Sequence, residues 1–165
     1  MARLTVAWTG TSLGTVAVAI LLHDQRSPSL AGILLAVDGA PGSDGYLTAG
    51  VIARTPIQAQ LVTLSACDTG RGQLVPREGV LGLARAFLEA GAAAVLATLW
   101  PVEDAATLEL MRAFYPRLAR GEERAAALTE AKRELRDAAL ARGEPMRAHP
   151  FFWAAFVLID QRPRC

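Results

Sequence analysis

Cysteine and histidine are scarce in this chain of 165 residues, which carries two of each: Cys67, Cys165, His23 and His149. Two thiols so unlike in context make no disulfide framework, and no CxxC or Cys/His cluster offers a zinc site. The expected setting is a reducing, cytoplasmic one. Charge imbalance is also missing. The formal net charge is +1, so nothing electrostatic draws the chain to nucleic acid or a membrane surface, and neither is an expected partner. No long apolar run is present either. The N-terminal run Val16–Leu22 is far short of the ~20 residues of a membrane span, and no small-x-small cleavage site follows it. No repeat of 20 to 50 residues is visible, which removes the solenoid and propeller classes.

What is present suits one globular domain. The chain is 52% hydrophobic and 20% charged, enough apolar material for a packed core. Arg133, Arg136, Arg142 and Arg147 alternate with Glu134, Asp137 and Glu144, the mark of a solvated helix face rather than a binding patch. Continuous apolar runs at Val16–Leu22, Ala31–Val37, Leu61–Ala66, Ala92–Trp100 and Phe151–Ile159 read as buried strands. Asp38–Tyr46 reads as a loop, and "LTAGVIARTP" as a short helix stopped by Pro56.

Longer helices follow. From Glu78, the spacing of Val80, Leu83, Ala84, Phe87 and Leu88 predicts a helix that Gly91 can close. A second helix has Asp104 as its expected cap, Leu108, Met111, Tyr115 and Leu118 as its apolar face, and Gly121 as its stop. A third runs from about Glu122 to Ala141 with Leu128, Ala131, Leu135 and Ala138 inward. Strands alternating with amphipathic helices predict an α/β fold with a mostly parallel sheet. In that sheet Leu61–Ala66 should lie between Val16–Leu22 and Ala92–Trp100, with Phe151–Ile159 further out. Trp100, Trp153, Phe87 and Phe156 read as core aromatics.

Ligand sites in such sheets lie beyond the carboxyl ends of the strands. "LVTLSACDTGRG" puts Cys67 just past one of those ends, at the start of a glycine-rich, charged loop. Alone, a cysteine there is either a small buried hydrophobe or a nucleophile.

Its surroundings separate the two. The ordered pieces "LVTLSACDTG", "EGVLGLARAFLEAGAAAVLATLWPVED", "TLELMRAFYPRL", "AALTEAKREL" and "HPFFWAAFVLI", preceded by "SPSLAGILLA" and "DGYLTAGVI", resemble the CHAT domain. That family is a caspase-like cysteine peptidase module often attached to TPR repeats. The resemblance covers residues 28–160, leaving an unmatched segment 1–27 and a tail 161–165. It implies a caspase–haemoglobinase-like three-layer sandwich, N-terminally incomplete in this chain. It also implies Cys67 as nucleophile beside a histidine base, with Asp68 and Gly70 in the loop next to substrate. The implied substrate is a protein or peptide, TPR-containing proteins or domains are candidate partners, and no cofactor or metal is called for.

The histidine breaks the pattern. The family's Ala-Thr-His-Gly type motif falls on Ala17-Val18-Ala19-Ile20 here. His149 belongs to the "HPFFW" piece, where capping or packing is the plain role. His23 is nearest the expected place, three to four residues late, a displacement of roughly 10 Å along a strand. It is the remaining candidate base. Glu103 and Asp104 follow "LW" on the rim expected to hold Cys67. Relatives of this fold use an acidic pocket to seat a basic residue before the scissile bond, and helix capping is the alternative role for Asp104. The sequence therefore predicts a CHAT-type cysteine endopeptidase preferring a basic residue there. The alternative is a catalytically inactive remnant serving as a protein-interaction module.

Overall fold

The computed structural model of the chain describes residues 21–22, 32–34, 46–64 and 77–161. In chain order the elements are β1 (Leu21–Leu22), β2 (Gly32–Leu34), β3 (Tyr46–Thr48), α1 (Ala49–Arg54), β4 (Val62–Leu64), α2 (Arg77–Glu89), β5 (Ala94–Thr98), α3 (Asp104–Ala119), α4 (Arg124–Ala141) and β6 (Phe156–Asp160). The fold class is α/β with strands in two small sheets, ordered β1-β2-β3 and β4-β5-β6.

Helices cover both faces of the β4–β5–β6 sheet, and strand alternation divides the core accordingly. Val62, Leu64, Val95 and Ala97 join Ile52 of α1 and Val80, Leu83 and Phe87 of α2 in one cluster. Leu61, Ala94, Leu96 and Phe156 join Leu110 and Phe114 of α3 and Leu128, Ala131 and Leu135 of α4 in the other. Because both faces are covered, every residue of β5 is buried, which is why its sequence is an unbroken apolar run. Ile33 of β2 and Leu47 of β3 fasten the small sheet to the first cluster.

Local chemistry sets the element ends. The Thr48 hydroxyl accepts from Val51 N–H at 3.2 Å and starts α1, and the Glu123 carboxylate accepts from Ala126 N–H at 2.9 Å and starts α4. Gly91, at φ 108°, turns the chain from α2 into β5, and Gly121, at φ 82°, ends the α3 turn. Ile57 N–H donates to Ala90 C=O at 2.7 Å and Ala93 N–H to Ala59 C=O at 2.8 Å, lacing the approach to β4 onto the α2–β5 turn.

Several expectations are corrected. The strands are not mostly parallel: β4–β5 is parallel, whereas β1–β2, β2–β3 and β5–β6 are antiparallel. β6 reverses because two helices, not one, separate it from β5. α3 carries the chain down one face and α4 carries it back. Leu21–Leu22 pairs with β2 rather than with β4, and the earlier part of the Val16–Leu22 run lies outside the described residues. Tyr46–Thr48 is strand, paired to Gly32–Leu34, where loop and helix were expected. The last strand begins at Phe156, not Phe151, because Pro150–Phe152 forms a 3-10 turn.

On α3 the buried residues are Ala106, Leu110 and Phe114, with Met111, Tyr115 and Leu118 at the margin and Leu108 50% exposed. The α3 sequence holds two overlapping apolar stripes, and packing on α4 and the sheet selected the one containing Phe114. Ala138 is at the margin of α4, with Ala139 buried in its place.

Candidate active site

The parallel pairing of β4 and β5 sets Leu64 beside Ala97, so both carboxyl ends open on one rim. Beneath it, the buried Thr63 hydroxyl shares a 2.9 Å hydrogen bond with the Tyr115 hydroxyl, which satisfies a polar group in the middle of β4. Beyond β5 the chain passes through Trp100, whose indole N–H donates to Phe151 C=O at 2.9 Å and whose ring lies 6.3 Å from that of Phe151. Trp153 donates to Ala148 C=O at 3.0 Å. These bonds dock the 3-10 turn against the β5 exit. Phe87 and Phe156 are core aromatics as expected, while Trp100 and Trp153 pack at its edge.

Of the acidic pair, Glu103 occupies the cap position of α3 without making a side-chain cap bond, and Asp104 is the first helical residue. Asp104 is therefore not the cap the sequence suggested, although a carboxylate in the first turn still favours the helix dipole. Arg147 takes hold of Glu103 instead. Its Nη2 lies 2.8 Å from one Glu103 carboxylate oxygen and 2.9 Å from the other. The same arginine reaches Glu109 at 4.0 Å, and Arg142 bridges Glu109 and Glu144 at 3.3 and 3.2 Å. The interleaved charges thus pair with one another, as the mixed pattern implied: Arg133 with Glu130 and Arg136 with Asp137. The Arg136 guanidinium holds the exposed Asp137 carboxyl below its ordinary range.

His149 caps the 3-10 turn, its Nδ1 accepting from Phe151 N–H at 3.2 Å. That contact fits the capping role, and it engages one of the two ring nitrogens. Cys67, Asp68, Gly70 and His23 lie outside the described residues. Among the sequence-derived site residues, the structure therefore brings Glu103 and Asp104 together at the rim. It adds Arg147, an unforeseen partner that stands in sequence only as one more charge on a mixed face. Among the described residues no group of three His, Cys, Asp or Glu side chains is placed to hold a metal ion, and no helix is long and apolar enough to cross a membrane.

A cavity of about 610 Å³ lies elsewhere. It is lined by Gly91, Ala93, Arg124, Asp160 and Gln161 among others, where β5 begins and β6 ends. This is the opposite end of the sheet from the β4 and β5 carboxyl ends. Volume alone does not locate the chemistry of such a fold, whose sites sit at the carboxyl rim.

The model of the CHAT domain matches residues 10–161. The chain belongs to the CHAT domain family. The match reaches upstream of Pro28, from which the motif series begins. Among curated proteins, Tetratricopeptide repeat protein 28 of Homo sapiens is 36% identical over 122 residues, 74% of this chain. Its counterpart in Mus musculus matches to the same extent. This CHAT chain spans 5% of the length of either relative.

Proposed function

We propose that this CHAT domain carries a caspase-like cysteine endopeptidase site directed at peptides with a basic residue before the scissile bond, and that the chain turns over little or no substrate as it stands. The observation that supports the reading is the parallel β4–β5 pair. Leu64 and Ala97 are neighbours at one rim. Only Ser65 and Ala66 separate Leu64 from Cys67, so covalent reach keeps the Cys67 Cα within about 11 Å of that rim. Glu103 and Asp104 follow β5 at the same end.

In the proposed chemistry the Cys67 thiolate attacks the scissile carbonyl carbon, because the neutral thiol is a poor nucleophile. A histidine takes the thiol proton and returns it to the leaving amine as the C–N bond breaks, and water then hydrolyses the thioester to regenerate the thiol. Backbone N–H groups near Cys67 hold the oxyanion, Asp68 and Gly70 flank the substrate, and Glu103 with Asp104 seats the basic side chain. His23 is the candidate base. The substrate is a protein or peptide, TPR-containing proteins or domains are the candidate partners, and the thiol chemistry suits a cytoplasmic location.

Three observations favour an inactive interaction module as the second reading. Ala19 and Ile20 stand where the family's histidine and glycine belong. His149 has Nδ1 committed to a cap. Glu103 is already paired to Arg147. Loss of a general base alone removes about 10² to 10⁴ in rate, and lost oxyanion geometry about 10² more.

The test is an assay on fluorogenic peptides ending in Arg or Lys, run beside Cys67→Ala and His23→Ala, with iodoacetamide labelling at mildly acidic pH. Selective labelling of Cys67, with slow turnover that vanishes in Cys67→Ala, supports the peptidase site, and a parallel loss in His23→Ala identifies the base. Equal background rates in all three proteins, with a thiol that reacts only near its ordinary pKa of about 8.5, establish the inactive module. Rapid turnover would refute the expected loss of activity.

A further inference from the structure

Glu103 and Glu123 hold the same position at the starts of two helices and use their carboxylates differently. Glu123 accepts from Ala126 N–H and caps α4. Glu103 makes no cap bond to α3. Both of its oxygens accept instead from one nitrogen, Nη2 of Arg147, at 2.8 and 2.9 Å. That arginine comes from 44 positions away, on a turn pinned from two sides. Arg147 N–H donates to Glu144 C=O at 2.9 Å, and the next residue, Ala148, accepts from the Trp153 indole at 3.0 Å. The Trp100 indole holds Phe151 C=O a few residues on. The guanidinium thus reaches the β5 exit as a tethered ligand at high effective concentration.

The pair is open to water, with the Glu103 side chain 49% and the Arg147 side chain 34% exposed. A screened pair of this kind is held only a few-fold over its separated state, so a cation from solution competes with it. A second carboxylate, Glu109, lies 4.0 Å from Nη1 and is placed to receive the guanidinium when it leaves. On the basis of the basic-residue seat proposed for the peptidase site, we infer that Arg147 is the built-in occupant of that seat. It stands in for a substrate arginine, making with Glu103 the charge-assisted contact that a substrate guanidinium would make. A peptide arginine or lysine enters by exchanging Arg147 off Glu103 and onto Glu109. Affinity for basic side chains is then scaled down by the fraction of molecules in which Arg147 is seated.

The test is a titration of the whole chain with N-acetyl-arginine amide, read from the backbone amide resonances of Glu103 and Asp104, with N-acetyl-citrulline amide as the neutral isostere. Arg147→Ala should bind the arginine compound roughly two- to fivefold tighter than wild type, the strength of a screened ion pair, and the citrulline compound no tighter. Glu103→Gln should abolish the gain, so that adding Arg147→Ala to it changes nothing. In the wild type the Arg147 side-chain resonance should move as the arginine compound is added. That measurement needs no variant and decides the matter should Arg147→Ala undock the turn, which a shifted Trp153 indole resonance would report.

Arginine binding no tighter in a docked Arg147→Ala than in wild type overturns the inference. So does a gain that persists without Glu103, which would be the general effect of removing a positive charge. A wild-type Arg147 resonance that stays fixed at saturation overturns it equally. Iodoacetamide labelling of Cys67 at mildly acidic pH reads the thiol separately. A gain in binding on a chain whose Cys67 does not label keeps the occupied seat and removes the peptidase. A labelled Cys67 with no gain keeps the peptidase thiol and removes the occupant.

Discussion

Replacing Gly91 with alanine should be among the costliest single-methyl additions the described fold can receive. Gly91 sits at φ 108°, and a Cβ built there would stand 2.7 Å from the Ile57 carbonyl oxygen. The left-handed backbone costs a non-glycine residue about 1–2 kcal/mol. The carbonyl cannot retreat freely, because Ile57 N–H is held by Ala90 C=O at 2.7 Å and Ala93 N–H by Ala59 C=O at 2.8 Å. Overpacking against such a fixed neighbour adds about 1–3 kcal/mol. Alanine restricts the unfolded chain and returns about 0.4–1 kcal/mol. The net expectation is a loss of about 2–4 kcal/mol.

Gly121→Ala is the matched control. Its φ is 82° and nothing lies within 4 Å of the added Cβ. It should lose only about 0.5–1.5 kcal/mol, the backbone strain less the entropy gain. Urea unfolding read by circular dichroism, with the slope held common, gives both differences from the midpoints. Equal losses for the two variants would refute the steric argument.

Tyr115→Phe removes the hydroxyl that shares a hydrogen bond with the buried Thr63 hydroxyl and should cost about 1–3 kcal/mol, measured by the same unfolding curves. Arg147→Ala should cost less than about 1 kcal/mol, since the Glu103 pair is half-exposed and solvent screens it; a loss above about 2 kcal/mol would mean the network is buried in solution. Lys132, the chain's only lysine, is half-buried on α4, and burial holds its ammonium below the ordinary lysine value of 10.5. The unfolded chain then binds more proton just below that value, so stability should rise gently as pH climbs toward 10.5, and Lys132→Met should flatten the slope. A slope unchanged in the variant would assign it elsewhere.

Much of the architecture was legible from spacing. Val80, Leu83, Ala84 and Phe87 repeat on one side of a helix and are all buried, because a single apolar stripe admits one orientation. α3 was misread because Leu108, Met111, Tyr115 and Leu118 form a stripe as regular as Ala106, Leu110 and Phe114, and only tertiary packing chooses between them. The run "FFWAAFVLI" has no period. The break inside it comes from Pro150 and the His149 cap, a turn signal hidden among aromatics. The antiparallel β6 was recoverable by counting: an even number of helices between strands returns the chain to the end it left. Arg147 was invisible as Glu103's partner, since 44 residues separate them and a surface arginine carries no local mark of its destination.

The two-helix connection between β5 and β6 also bears on how the chain reaches this structure. Val95 and Ile159 are opposed in the sheet although more than 60 residues of sequence separate them. Closing so long a loop as free coil is entropically slow, and the cost grows with the logarithm of loop length. Pairing α3 with α4 first, through Leu110, Phe114, Ala131 and Leu135, folds most of that distance into one local hairpin and delivers β6 to its site. The expected order is hairpin before strand. In stopped-flow refolding, Leu135→Ala should then slow folding, while Val157→Ala should chiefly speed unfolding. The helices that cover one face of the sheet would thus also serve as the lever that closes it.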